Sequence, residues 1–304
     1  MSEPGPIPHW PGELVPLSQG HRVYVRSIPD ANGEPALCVH GLAGSSRNWT
    51  DLMDLLRPAL AAQALDLPGF GDSPPRPDGR YGIAALAQTV TALIEHRGQG
   101  PVHLIANSLG GAVSVKLAAT RPDLVKTLTL ISPALPDSRP RLDLIRFPVM
   151  SLPRVGTRLL RKYEALPPEN RVADVIATCY ADPARFPQER FATEVAELTK
   201  RDTFTYATGA LIGSIRTLTA EFFRTGRNAA WRDATRVTAP TLVIGGGGDI
   251  FYSEELFRGT AEGVQDGRAH IFPDWGHARA SSSAATTHLA LGFMLAGIPV
   301  RPGH

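Results

Sequence analysis

Val102-His103-Leu104-Ile105-Ala106-Asn107-Ser108-Leu109-Gly110-Gly111-Ala112 is the segment on which the fold reading turns. Val102–Ala106 is a short, mostly apolar run, which suits a strand covered on both faces. Leu109 to Thr120 repeats apolar residues at helical spacing. Ser108 stands at the joint. A serine there either caps the helix by accepting its first N–H groups, or sits on a tight bend with its hydroxyl projecting above the strand end. Ala106 and Gly110, two residues to either side, are small enough for the bend to close. The usual spacing is G-x-S-x-G, and Ala106 replaces the first glycine. Both readings are open on this segment alone.

Outward from it, the same kind of run recurs at Ala36–His40, Ala62–Leu67, Leu128–Ile131 and Thr241–Gly245, and more weakly at Ala269–Pro273. His21–Ser27 alternates and reads as a further strand. Helical patterns lie between them at Trp49–Leu56, Ile83–His96 and Glu254–Ala261, with a last helix over Ala284–Leu295. Strand and helix in alternation predict an α/β fold with a mostly parallel central sheet flanked by helices. From Ser132 to Pro240 the alternation stops. That stretch has helical periodicity broken at Pro148, Pro153, Pro167-Pro168, Pro183 and Pro187. It reads as a helical insertion between two strands. The expected division is an irregular, Pro-rich arm over 1–20, a core over 21–132 and 239–304, and a helical cap over 133–238. Aromatic and aliphatic residues of the insertion, among them Phe147, Leu152, Tyr163, Phe204, Tyr206 and Phe222, either line a pocket or form its own core.

Composition narrows the function. The 304 residues carry 31 Lys plus Arg against 29 Asp plus Glu, a net charge of +2. No basic stripe of a dedicated nucleic-acid binder is visible in the sequence. Two cysteines, Cys38 and Cys179, are too few for a disulfide scaffold or a four-cysteine zinc site. The first twenty residues lack a basic segment followed by an apolar core, and no run approaches the ~18 apolar residues of a membrane span. A cytoplasmic location is expected. No metal or cofactor is implied, since neither H-x-H nor H-E-x-x-H spacing occurs.

Three further segments carry chemistry. Val39-His40-Gly41-Leu42-Ala43-Gly44 follows a buried strand and can turn with its N–H groups exposed. The amides of Leu42 and Leu109 are therefore candidates to hold an oxyanion. In Gly245-Gly246-Gly247-Gly248-Asp249 an acid sits just beyond a strand end. In Pro273-Asp274-Trp275-Gly276-His277 a histidine follows the last strand. Each is unremarkable alone; glycine tetrads are often plain turns and loop histidines are usually solvated. Their order, Ser108 then Asp249 then His277, gives them weight.

With Asp66-Leu67-Pro68-Gly69-Phe70-Gly71-Asp72-Ser73 added, which matches a D-x-P-G-x-G-x-S loop, the chain resembles α/β-hydrolase fold proteins with a helical cap, from about Val23 to Leu295. The resemblance implies a serine hydrolase. Ser108 would attack a carbonyl, His277 would take its proton and return it to the leaving group, and Asp249 would hold the imidazole. The expected substrate is a small, largely apolar carboxylic ester passing through an acyl-enzyme. A carbon–carbon bond hydrolase of ring-fission-product type and a non-catalytic small-molecule binder are the alternatives, and a homodimer is allowed. Relatives with an aspartate nucleophile are disfavoured by Ser108.

Other polar residues receive structural readings. Asp66 and Asp72 brace their loop, His40 and His103 lie beside buried strands, and His270 and His288 look like surface or helix residues. Cys38 is an apolar filler. Asp137 is an alternative acid, because some relatives place the acid after the Leu128–Ile131 strand. Asn107, Phe251 and Tyr252 either shape the pocket or pack around it. Ala278-Arg279-Ala280-Ser281-Ser282-Ser283 replaces the family's common continuation after the histidine, and nothing in the sequence explains it.

Overall fold

The apolar runs become strands of one eight-stranded sheet in a computed structural model that describes residues 7–137, 146–223, 229–278 and 284–296. In chain order these are β1 (Gly12–Pro16), β2 (Arg22–Ser27), β3 (Glu34–Val39), β4 (Leu60–Leu65), β5 (Val102–Asn107), β6 (Val125–Ile131), β7 (Thr241–Gly246) and β8 (Gly267–Phe272). Their spatial order is β1-β2-β4-β3-β5-β6-β7-β8. β1 and β2 pair antiparallel, as do β2 and β4, and the remaining pairs are parallel. β1 corrects the expectation of an irregular arm. Its alternation is weak because only Val15 of its five residues is buried, so periodicity could not reveal it.

The sheet's alternation sorts its apolar residues between two cores. Leu37, Val39, Leu104, Leu130 and Val243 face one side. There they pack with α2 (Ile83–Arg97), α3 (Leu109–Thr120) and α10 (Glu254–Gly263). Cys38, Ile105, Ile131, Leu242 and Ile244 face the other side. They meet Trp49, α1 (Thr50–Leu56) and α11 (Ala284–Ala296). Both faces are thus covered, as a parallel sheet requires.

Between β6 and β7 the described chain is helical: α4 (Arg146–Ser151), α5 (Val155–Glu164), α6 (Pro168–Cys179), α7 (Phe191–Asp202), α8 (Ala207–Phe223) and α9 (Ala229–Ala234). α4, α5 and α8 pack together, α6 lies on α7, and α8 reaches α2. α9 lies instead against α3, and Ala234 and Val237 join the main core. Several prolines act as sequence punctuation should. Pro168 opens α6 at its first turn, where the missing N–H costs nothing. Leu152, read as a pocket or core residue, is 49% exposed. α7 is tied to the sheet side by ion pairs. Arg47 binds Glu197, Lys200 binds Asp72, and Arg190, just before α7, binds Asp51.

Buried histidines hold the β3 and β5 regions. His40 Nδ1 donates to Gly41 O at 2.7 Å while its Nε2 accepts the Leu67 amide at 2.9 Å, which requires the neutral ring. Burial pushes His40 and His103 below the ordinary value, and holds His9 at about 4. The unfolded chain therefore binds protons near pH 6.5 that the folded chain refuses. Stability is full above about pH 7 and falls as pH drops toward 4. Thermal melts at stepped pH should show Tm falling from pH 7.5 to 5, with part of that slope removed by His40→Gln. A flat or rising Tm would contradict this arrangement.

Candidate active site

β3 and β5 are neighbours from which the chain departs in opposite directions, to β4 on one side and β6 on the other. Loops at the carboxyl ends of such strands diverge and leave a crevice. The Gly41–Gly44 turn leaves β3 there, and Ser108 leaves β5.

Ser108 adopts φ 51°, ψ −116°, a conformation that L-residues rarely hold. Four backbone bonds fix it. Its N–H donates to Ile131 O at 3.0 Å, and its carbonyl accepts Ala134 N at 2.9 Å, Gly111 N at 2.9 Å and Ala112 N at 3.2 Å. The bend also demands smallness nearby. A Cβ at Gly110 would stand 2.3 Å from Val39 O, so only glycine lets α3 approach β3. No side-chain cap bond is made by Ser108, which disposes of the simple helix-cap reading. Asn107 braces the bend, its Nδ2 donating to Ile131 O at 3.1 Å.

Leu109 opens α3, and the first N–H groups of a helix have no intrahelical partner. Leu42 lies in the turn closed by Gly44 N to Gly41 O at 3.2 Å. That turn abuts the bend: a Cβ at Gly41 would lie 3.1 Å from Ser108 Cβ. The turn that holds Leu42 and the helix start at Leu109 thus both adjoin Ser108.

Asp249 follows β7 and is fully buried. Its Oδ1 accepts the amides of Phe251 at 2.8 Å and Tyr252 at 3.2 Å, and its Oδ2 accepts His277 Nδ1–H at 2.9 Å. Burial pushes the Asp249 carboxyl up. The His277 charge, the His277 hydrogen bond and the Phe251 amide outweigh it and hold the carboxyl below its usual range. With Nδ1 donating to Asp249, the neutral His277 ring presents Nε2 as an acceptor. Asp137 does not compete for this place; its Oδ2 accepts Ser253 N at 2.9 Å instead.

The structure joins Asp249 to His277 directly, and Tyr252 packs beside the imidazole. The Tyr252 ring stands 5.6 Å from the imidazole. Among the described residues no hydrogen bond links the Ser108 hydroxyl to His277. Burial, and then the Asp249 charge, push the Tyr252 phenol far up, so it stays protonated. Phe251 packs edge-on to the imidazole at 4.9 Å. The insertion supplies the roof, with Phe147 of α4 against Phe251 at 5.9 Å and Phe222 of α8 stacked on Tyr252 at 6.4 Å. Arg146 lies over the Phe251 ring at 5.0 Å. Under this roof Ser108 is 8% and His277 9% exposed.

A family model described as alpha/beta hydrolase fold matches residues 35–279. The chain belongs to the alpha/beta hydrolase fold family. This hydrolase-fold enzyme is 28% identical over 274 residues to a proposed carbamate hydrolase of Variovorax paradoxus, covering 86% of the chain and 91% of that protein. It is 41% identical over 106 residues to the dihydrolipoyllysine-residue acetyltransferase component of the acetoin cleaving system of Pseudomonas putida. That match covers 34% of the chain, which spans only 27% of the longer relative. A haloalkane dehalogenase loop variant from Bradyrhizobium elkanii shares the fold at TM-score 0.75 and 21% identity, over 93% of this chain and 96% of that one.

The remaining residues of the hydrolase behave as braces. Asp66 Oδ1 accepts Ser46 N and its Oδ2 accepts Asp72 N at 2.7 Å. Asp72 does more than brace its loop, since Arg26 and Arg47 also approach it, at 3.6 and 3.8 Å. His103 bonds Thr127 and Glu34, His270 meets Phe272 edge-on, and His288 is exposed on α11. Cys38 is fully buried, and burial pushes its thiol far up. Ala278 N donates to Cys179 O at 3.0 Å, and Arg279–Ser283 lie outside the described residues. Among the described residues, no group of three or more His, Cys, Asp or Glu is placed to hold a metal, and no helix is long and apolar enough to cross a membrane. The sequence named Phe147, Phe222, Phe251 and Tyr252 as pocket or packing residues; what it did not show is the pairing of Phe147 with Phe251 and of Phe222 with Tyr252. Both depend on contacts between distant segments, which periodicity does not encode.

The close approach of α3 to β3 is testable. Gly110→Ala should cost about 2 kcal/mol or more in urea unfolding, because the added methyl meets backbone rather than a yielding side chain. A loss under about 0.5 kcal/mol would contradict the contact.

Proposed function

We propose that this alpha/beta hydrolase cleaves small, largely apolar carboxylic esters through Ser108, His277 and Asp249. The buried Asp249–His277 pair beside a strained serine is the observation that carries the reading. A turn of the Ser108 side chain about Cα–Cβ brings its hydroxyl toward His277 Nε2; catalytic hydrogen bonds often tighten only when substrate is bound. His277 then takes the hydroxyl proton as Oγ attacks the ester carbonyl. The tetrahedral oxyanion is held by the Leu42 and Leu109 amides, and the Asp249 carboxylate stabilises the imidazolium. His277 protonates the departing alcohol. Water, activated by the same imidazole, releases the acid from Ser108. No metal or cofactor enters these steps.

The roof of Phe147, Phe222, Phe251 and Tyr252 supports an apolar acyl group. Residues 133–238 are proposed to act as a cap, with its α9 end remaining on the core. Since Ser108 and His277 are almost covered, entry requires the α4 and α8 aromatics to move aside. A cytoplasmic location fits this reading.

Nitrophenyl esters of graded chain length test it. Ser108→Ala should abolish turnover with the fold intact by circular dichroism. Asp249→Asn should lower kcat by about 10³–10⁴-fold, since it loses the charge behind the imidazole. Retained turnover in Ser108→Ala, or a loss matched by unfolding, would overturn the assignment. Tyr252→Phe should change kcat by less than about tenfold if Tyr252 acts through its ring, packed against His277 and Phe222. A loss as large as that of Asp249→Asn would contradict this.

A further inference from the structure

Six of the nine exposed large aliphatic side chains among the described residues fall between Val149 and Val175, within the helical insertion. Leu152, Val155, Leu159 and Leu166 are 49%, 46%, 44% and 46% exposed. At 100° per residue, Val155 and Leu159 form one stripe along α5, continued by Leu166 just beyond its end. Gly156 and Leu160 turn to the buried side. Arg154, Arg158 and Arg161 form a second stripe beside the apolar one. From Leu152 to Lys162 the chain carries four cations and no acid.

The cations are unspent. Some arginines elsewhere are paired, as in Arg47–Glu197, Arg121–Asp123 and Arg171–Asp202, whereas these four sit together on one short segment. None of Arg154, Arg158, Arg161 or Lys162 has a carboxylate within ion-pair reach among the described residues. Arg154, Thr157, Arg158 and Arg161 line a shallow hollow open to solvent.

We propose that this face of α5 docks on an anionic lipid surface. Aliphatic side chains beside a row of cations suit the boundary between acyl chains and acidic headgroups. A nucleic-acid backbone would use the arginines but leave Val155, Leu159 and Leu166 in water. The face lies on the outside of α5, whose inner side packs against α4 and α8, the helices carrying the roof aromatics. Docking is independent of the ester reading, because it needs neither Ser108 nor His277.

Flotation of the full chain tests the proposal, with vesicles of phosphatidylcholine alone and of phosphatidylcholine with about 30% phosphatidylglycerol. The protein should float with the anionic vesicles at low salt and be released at high salt. Each cation at such a surface strengthens partition about fivefold, so Arg158→Gln with Arg161→Gln should weaken it about thirtyfold. Leu159→Ser should weaken it further while keeping the helix, as circular dichroism would show. Equal partition onto neutral vesicles, no flotation of the unmodified chain, or unchanged flotation of the folded double variant would overturn the proposal. So would full displacement by a short duplex DNA that itself binds the α5 arginines.

Discussion

The backbone of Ser108, held at positive φ, is the constraint on which the rest of the structure depends. Such a bend costs on the order of 1–3 kcal/mol and persists only when its surroundings over-determine it. Here β6 receives the Ser108 amide, α3 and the chain after β6 bond its carbonyl, and glycine at 110 lets the helix press onto β3. The bend therefore locks three strands and a helix at the crevice where the strand order reverses.

The second requirement is a charge kept dry. Asp249 is buried with each carboxylate oxygen engaged, by backbone amides on one side and the imidazole on the other. An unpaired carboxylate at that depth would be costly, so the pair is mutually dependent. The two loops that carry it follow adjacent parallel strands, β7 and β8, which sets their separation without further cross-links. The roof then limits water at the pair, which strengthens its electrostatics.

Much of this was legible before any coordinates. Buried parallel strands leave short apolar runs, and every such run became a strand to within a few residues. The places of Ser108, Asp249 and His277 beyond strand ends were readable, because short apolar runs mark the strands they follow. β1 was not, since an edge strand with one buried residue has no alternation to detect. Nor was the place of Tyr252 against Phe222 and His277 visible, since those contacts form only through tertiary folding. The α5 face was missed for a related reason. Arg154, Arg158 and Arg161 are separated by other residues in the chain, and they gather into a stripe only when wound into a helix.

Covalent labelling tests the central claim most directly. A fluorophosphonate reacts with a serine only where a base withdraws its proton and amides hold the phosphoryl oxygen. The account predicts one adduct per chain, mapped by mass spectrometry to the peptide containing Ser108, and its loss in His277→Ala. An adduct on another residue, or an unreactive folded protein, would contradict it.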